Sequence, residues 1–414
     1  MSSTSEAAGK EASRSVAQGV TGVATAPTLS RGNNEMTMVT WDRSRVGCAL
    51  VPDVTLREAS LRLLAWDRDY LWRIGEACTG RPDATTLPLL STLQHLALIN
   101  YEGRRLLQQE DPGQLPHIPQ LEAEAAAAAR HANKLFLDTS GYLDGVIRHY
   151  AAIAGQHHRV FFPADRPLGG LFDGFRRDLG VLQYRGHLIA TTHTIHFNCG
   201  LPSEAFGSLD LMGPRLGAMA EGFGNFARAD IAASADARNY WLDALNENDF
   251  SFSNVKSHRF YGAAFSGDVE PDLVAALLSL QVACATVDLL TGQTTRLPDG
   301  TWPIPVLKLR YVTLYQVLDS LRYLMQTRGT VLPALLLQQP SAELVLSGSG
   351  RKLRNTLVHY GLRINGVSVL PGQRPLFGIV EYLMDGMTYG ELNTLVDGLL
   401  RDACDLLRQW SRIQ

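Results

Sequence analysis

Cysteine is scarce in this chain of 414 residues: Cys48, Cys78, Cys199, Cys284 and Cys404 are odd in number and scattered, with no C-x-x-C spacing. That excludes a disulfide framework and a four-cysteine zinc site, and it fits a reducing compartment. Lysine is nearly missing too, five residues against thirty-three arginines. Charge of one sign is also lacking. The formal net charge is −3, so no global basic field announces a nucleic-acid partner, and any such site must be a local patch. No stretch reaches 18 uninterrupted apolar residues, so nothing is expected to span a membrane. The first twenty residues have no long apolar core and carry acids. They read as neither a secretory signal nor a transit peptide, which leaves the cytoplasm as the expected location. A G-x-S-x-G elbow, a Walker A loop and a dinucleotide fingerprint are all absent. What is present is ordinary for a globular protein: 45% hydrophobic and 19% charged residues, enough for a sizeable core.

Residues 1–45 are rich in Ser, Thr, Ala and Gly and short of large apolar side chains, so they read as a disordered tail. From Val54 the pattern becomes helical. Thr55 can cap, and Leu56, Ala59, Leu63, Trp66 and Tyr70 follow at steps of three and four. Further helices are expected over about 88–108, 120–136 and 142–155. Residues 160–175 read as a loop and 187–199 as a strand, while 200–268 carry no clear pattern. The C-terminal part is cleaner. One stripe runs through Leu273, Leu277, Leu280, Cys284 and Val287 to Gly292, and a second through Leu307, Tyr311, Leu314, Leu318, Leu321 and Met325 to Gly329. Thr388-x-x-Glu391 is a capping-box pattern that opens a third stripe, Leu392, Val396, Leu399, Ala403, Leu406 and Trp410. The fold class is therefore mainly α. A mostly helical domain with a little β covers 46–268, and an antiparallel helical bundle covers 269–414.

Between the bundle helices lies SGSGRKLRNTLVHYGL, residues 347–362. On an ideal helix Asn355 and His359 share a face. Arg354 lies about 140° round from His359, with a side chain long enough to swing back. Leu353, Leu357 and Tyr360 form the other side and would anchor the segment while Asn355, His359 and Arg354 point outward. A histidine can exchange a proton at neutral pH, an arginine can hold a phosphate, and an asparagine can orient either. Those roles suffice for metal-free RNA cleavage by the ribose 2′-hydroxyl. Arg351, Lys352 and Arg363 add a basic rim for the RNA backbone. Chance alone gives about 0.03 occurrences of Arg-Asn-x3-His in a chain of this composition.

Arg354-Asn355-x3-His359, on a helix late in a helical bundle, resembles the signature of the HEPN superfamily. The resemblance covers about 270–414 only. It implies a metal-independent endoribonuclease without cofactor, of the kind found in toxin–antitoxin and antiviral defence systems. Arg354 and His359 would be the catalytic pair and Asn355 the supporting residue. It also implies RNA as partner, a homodimer formed through the C-terminal bundle, and an antitoxin or other regulatory partner. The alternative is a non-catalytic HEPN-like module for binding or dimerisation. Tyr184-Arg185-Gly186 is a fainter echo of the motif. His193 follows Arg185 by eight positions, which is too long, so a degenerate second bundle within 120–200 is one reading of that region.

Other candidates are weaker. His187, His193, His196 and Cys199 suggest zinc, but a strand would send His193 and His196 to opposite faces, so no metal is expected. His157 and His158 follow a helix expected to end at Gly155, where cationic residues suit a helix C-terminus. Cys404 reads as a small buried hydrophobe and 246–250 as a turn.

Overall fold

The computed structural model describes residues 53–411 apart from 81, 116, 138–142, 163–175, 202–208, 229–244, 266–268, 270, 295, 330–332, 363 and 365. The expected tail, most of the expected 160–175 loop and Arg363 thus lie outside the described residues. The described chain begins on the strand β1 (Val54–Thr55), and Thr55 caps the first helix, α1 (Leu56–Gly80). Its hydroxyl accepts from the Glu58 N–H at 3.2 Å, and the Glu58 carboxylate accepts the Thr55 N–H at 2.8 Å, satisfying two end groups reciprocally. There follow α2 (Pro82–Glu110), α3 (Gln120–Leu137), α4 (Leu143–Phe161), β2 (Leu179–Tyr184), β3 (His187–Thr191), α5 (Thr192–Asn198) and α6 (Leu209–Arg228). Then come β4 (Phe250–Val255), α7 (Ser257–Ala263), α8 (Pro271–Ala285, extended by a π-helical turn, Thr286–Leu290) and α9 (Ile304–Arg328). The chain continues through α10 (Ala334–Leu337), α11 (Pro340–Leu346), α12 (Gly348–His359), β5 (Val369–Leu370), α13 (Ile379–Leu383) and α14 (Tyr389–Trp410).

The fold is mainly helical, with two small antiparallel sheets among the described residues: β1 with β5, and β3-β2-β4. Helices α1, α2, α3 and α6 each pack on the next, while α8, α9 and α14 pack on one another as the C-terminal bundle. Residues before and after the boundary expected near 268 share one hydrophobic core, and 53–414 form one compact unit. Leu273–Leu290 is long and apolar enough to cross a membrane by composition, but 78% of it is buried inside the fold, which accounts for its character.

Two expectations in the middle of the chain are corrected. The strand expected over 187–199 stops at Thr191. There the Thr191 hydroxyl accepts the Thr194 N–H at 3.1 Å, and the Thr194 hydroxyl takes the Thr191 N–H at 2.8 Å, so a capping box starts α5. His193 and His196 are therefore three apart on a helix, not on opposite faces of a strand. Helix α4 runs past Gly155 to Phe161, so His157 and His158 lie within it rather than beyond its end. The faint motif echo also separates. Arg185 sits in the β2–β3 turn with a φ of 51° and pairs with Asp249 at 2.8 Å, whereas His193 is on α5.

Helix α12 is held at both ends. The Ser347 hydroxyl accepts the Gly350 N–H at 3.1 Å, and Tyr360 closes the helix in the left-handed region, φ 55°. Leu353 and Leu357 are buried, while Arg351, Lys352 and Asn355 are exposed. The helix packs on α9 and α11 and also reaches α2. Gly350 is required by space: an added Cβ would lie 2.0 Å from the Val345 carbonyl oxygen and 2.7 Å from that of Leu344. Both atoms are backbone and cannot rotate away, so Gly350→Ala should cost about 1–3 kcal/mol. A lowered urea midpoint with unchanged slope checks this.

Candidate active site

The site residues lie on and around α12. Arg354 is 5% exposed, and its Nη1 donates to Asn355 Oδ1 at 2.7 Å. Its guanidinium also stacks over the Tyr315 ring of α9, 5.7 Å from the centroid. The expectation that Arg354 points outward is thereby corrected. The turn from His359 carries it to the α9 side of the helix, where an aromatic face accepts a planar cation. Asn355 remains exposed, so the guanidinium sits behind a surface carboxamide. Arg351 is exposed and donates from Nε to the Tyr315 hydroxyl at 3.2 Å; Lys352 is exposed beside it. One buried tyrosine thus braces two of the arginines of the motif segment.

His359 faces the opposite group of helices. Its side chain is 38% exposed, and Nδ1 lies 2.9 Å from Oε2 of Glu102 on α2. The Glu102 side chain is only 3% exposed. Its other oxygen, Oε1, accepts from Arg130 on α3, at 3.0 Å from Nη2 and 3.3 Å from Nε. Burial alone would push the Glu102 carboxyl up. The hydrogen bonds and charges of His359 and Arg130 outweigh it and hold the group below its ordinary range.

The next residue is tied down by a second buried cluster. Tyr360 donates its hydroxyl to Asp67 on α1 at 2.6 Å, and the Lys308 ammonium of α9 pairs with the same carboxylate oxygen. The Lys308 Nζ also lies 4.0 Å from the Tyr360 ring centroid. Burial lowers the Lys308 pKa against the pull of Asp67, and burial raises that of Tyr360 well above the ordinary phenol. Nearby on α2, His95 contacts the Thr313 hydroxyl at 3.2 Å, and burial brings its pKa down to about 3.

Glu102, Arg130, Asp67 and Lys308 did not emerge as functional candidates from the sequence. A signal exists in hindsight: Asp67 is four residues after Leu63 and three before Tyr70, and Glu102 stands four from both Leu98 and Leu106. An acid inside an apolar stripe is rarely buried without a partner.

A separate histidine group lies in the core between α4 and α5. His157 Nε2 and His196 Nδ1 are 3.2 Å apart, and the His157 and His193 rings meet edge to face at 4.5 Å between centroids. His193 Nδ1 contacts the Tyr261 hydroxyl at 2.7 Å. Among the described residues no group of three or more His, Cys, Asp or Glu side chains is set to hold a metal ion. An open groove of about 690 Å³ runs along the start of α14, lined by Arg296, Asp299, Glu391, Asp397 and Asp402 among others. None of Arg354, Asn355 and His359 lines it, and its acids do not suit a polyanion.

Fold and site together define a mainly helical protein with a half-exposed histidine at the seam between two helix groups, bonded to a buried carboxylate. No family model, curated protein or solved structure matches the chain.

Proposed function

We propose that this protein is a metal-independent endoribonuclease of the HEPN type, acting in the cytoplasm as a toxin or antiphage-defence effector. The observation that carries the reading is the half-exposed His359 at the end of the helix that bears Arg354 hydrogen-bonded to Asn355. His359 takes the proton of a ribose 2′-hydroxyl. The 2′-oxygen bonds to the adjacent phosphorus, the bond from phosphorus to the 5′-oxygen breaks, and the leaving 5′-oxygen takes a proton from water, while the proton on His359 returns to solvent. The products are a 2′,3′-cyclic phosphate and a 5′-hydroxyl. Asn355 meets the phosphate at the surface, and Arg354 supplies positive charge behind it. Arg351 and Lys352 steer the RNA backbone, with Arg363 the third member of that rim. On this reading the chain works as a homodimer through its C-terminal bundle, under a regulatory partner such as an antitoxin.

A second reading, a non-catalytic binding module, is favoured by one observation. The burial of Arg354 over Tyr315 is also how an arginine braces two helices.

Purified protein, labelled RNA and EDTA separate the two readings. Wild type is expected to cleave RNA in EDTA and leave cyclic phosphate ends. His359→Ala is expected to lower the rate by roughly 10²–10⁴-fold, the usual contribution of a positioned acid or base. Arg354→Ala should fall similarly, with circular dichroism to show that it folds. Cleavage that persists in both variants removes the site assignment, and no cleavage by wild type favours the module.

A further inference from the structure

We infer that Glu102 is the positioning residue that fixes the tautomer and direction of the His359 ring, and that Arg130 sets which way Glu102 can act. This rests on the ribonuclease reading and extends it to α2 and α3, which the sequence motif does not include.

The argument is one of donors and acceptors. An ionised carboxylate only accepts hydrogen bonds, and a guanidinium only donates them. With Glu102 Oε2 2.9 Å from His359 Nδ1, the proton of the neutral ring must sit on Nδ1. Nε2 then carries the lone pair. The ring is 38% exposed while its carboxylate partner is buried, so the exposed edge is the one away from Glu102, which carries Nε2. A histidine left to itself in water favours the opposite tautomer, with the proton on Nε2, which cannot serve as a base there. Glu102 therefore turns His359 from the wrong tautomer to the useful one. Arg130 occupies the other carboxylate oxygen with two N–H groups, so Glu102 has one free direction, toward the ring. The backbone is held by a separate set of bonds, because Tyr360 is anchored through Asp67 and Lys308. Ring and backbone are thus held by different elements, α2–α3 for one and α1–α9 for the other.

The same logic gives a test with a sharp sign. In Glu102→Gln the carboxamide oxygen must face Arg130, which can only donate. The NH₂ then faces His359 Nδ1, and the ring is driven to the Nε2–H tautomer. Removing the arginine as well lifts that constraint. In Glu102→Gln/Arg130→Met the carboxamide can flip and present its oxygen to Nδ1 again. Full-length protein with ¹⁵N-labelled histidine, at a pH where the ring is neutral, reports the tautomer directly from the ring nitrogen shifts. Expected are Nδ1–H for wild type, Nε2–H for Glu102→Gln, and return of Nδ1–H in the double variant. RNA cleavage should fall roughly 10²–10⁴-fold in Glu102→Gln, the scale of a wrong-tautomer defect, with KM little changed, and should recover in part in the double variant. The double variant also replaces a buried ion pair by neutral groups of similar size, which keeps the test open should the single variant fold poorly. Wild type with Nε2–H, or Glu102→Gln retaining both Nδ1–H and wild-type cleavage, overturns the inference. If wild type shows the Nδ1–H ring, switched as described, but cleaves no RNA, the ribonuclease reading falls while the hold of Glu102 on the ring stands.

Discussion

Acidification from pH 7 to pH 4.5 is expected to remove about 8 kcal/mol of folding stability, enough to unfold a typical domain. Three buried histidines carry this. Burial brings His95 down to about 3, His157 to about 2 and His193 to about 4. For His95 the neighbouring Lys308 charge acts in the same direction. For His157 the neighbouring His193 and His196 do so, while a hydrogen bond at the Asp178 backbone opposes. For His193 the Asp178 carboxylate opposes and His196 adds. In the fold all three stay neutral, whereas in the unfolded chain each takes up a proton near its ordinary value of 6.5. Below 6.5 the unfolded state binds more protons than the native state, so stability falls as pH falls. The stabilisation is fully present above 6.5 and drains away toward the folded pKa values. Each group contributes about 1.4 kcal/mol per pH unit in that window, roughly 4 kcal/mol per unit for the three together. Urea unfolding at pH 7, 6 and 5 measures the slope. A His157→Gln/His193→Gln variant should cut it to about a third, and a slope that stays as steep would assign the acid sensitivity to other groups.

This histidine cluster shows where the sequence was legible and where it was not. Helices with a strict apolar stripe and a chemical signal at an end could be read: the capping box at Thr388 and Glu391 opens α14, and Gly329 closes α9 with a φ of 64°. The 187–199 segment defeated alternation because its β-branched residues suit a strand up to Thr191 and then cap a helix, a switch set by two threonines three apart. His157 joins His193 and His196 only through the packing of α4 on α5, a contact between residues about forty positions apart that no local period encodes. The candidate site divides the same way. The order Arg354, Asn355, His359 and the apolar anchors Leu353 and Leu357 are local and were readable. Which side of α12 each polar residue meets was not. Arg354 turns to Tyr315 and His359 to Glu102 because α9 and α2 flank the helix, and Glu102 lies 257 positions away. Lone charges within apolar stripes, Asp67 and Glu102, were the one available clue to a partner across the fold.

Asp67→Ala is expected to destabilise the protein by about 3–5 kcal/mol, the cost of breaking one side of a buried ion pair. The carboxylate does two jobs at one oxygen. It balances the Lys308 ammonium and accepts the Tyr360 hydroxyl at 2.6 Å, all within the interior. Without it, the lysine is left as a buried cation that has lost its paired carboxylate, with the Tyr360 ring and the more distant Glu102 charge still near it, and the tyrosine loses its acceptor; each stranded donor costs more than the bond was worth. Lys308→Met alone should cost less, because Asp67 keeps the tyrosine. Asp67→Leu/Lys308→Met removes both charges and fills the space, and replacing a buried pair by apolar groups of similar volume is commonly neutral or stabilising. The double variant should therefore be more stable than Asp67→Ala by several kcal/mol, and urea midpoints in a double-mutant cycle of Asp67→Leu, Lys308→Met and the double variant report the coupling. Additive losses instead would mean that the pair is solvated in solution. The same cycle separates stability from function. If the cluster works by holding the backbone at Tyr360 and hence His359, the double variant should regain most of the stability lost in Asp67→Ala, short of wild type by about 1–3 kcal/mol for the stranded tyrosine hydroxyl, yet be slower on RNA, since the tyrosine anchor is still gone.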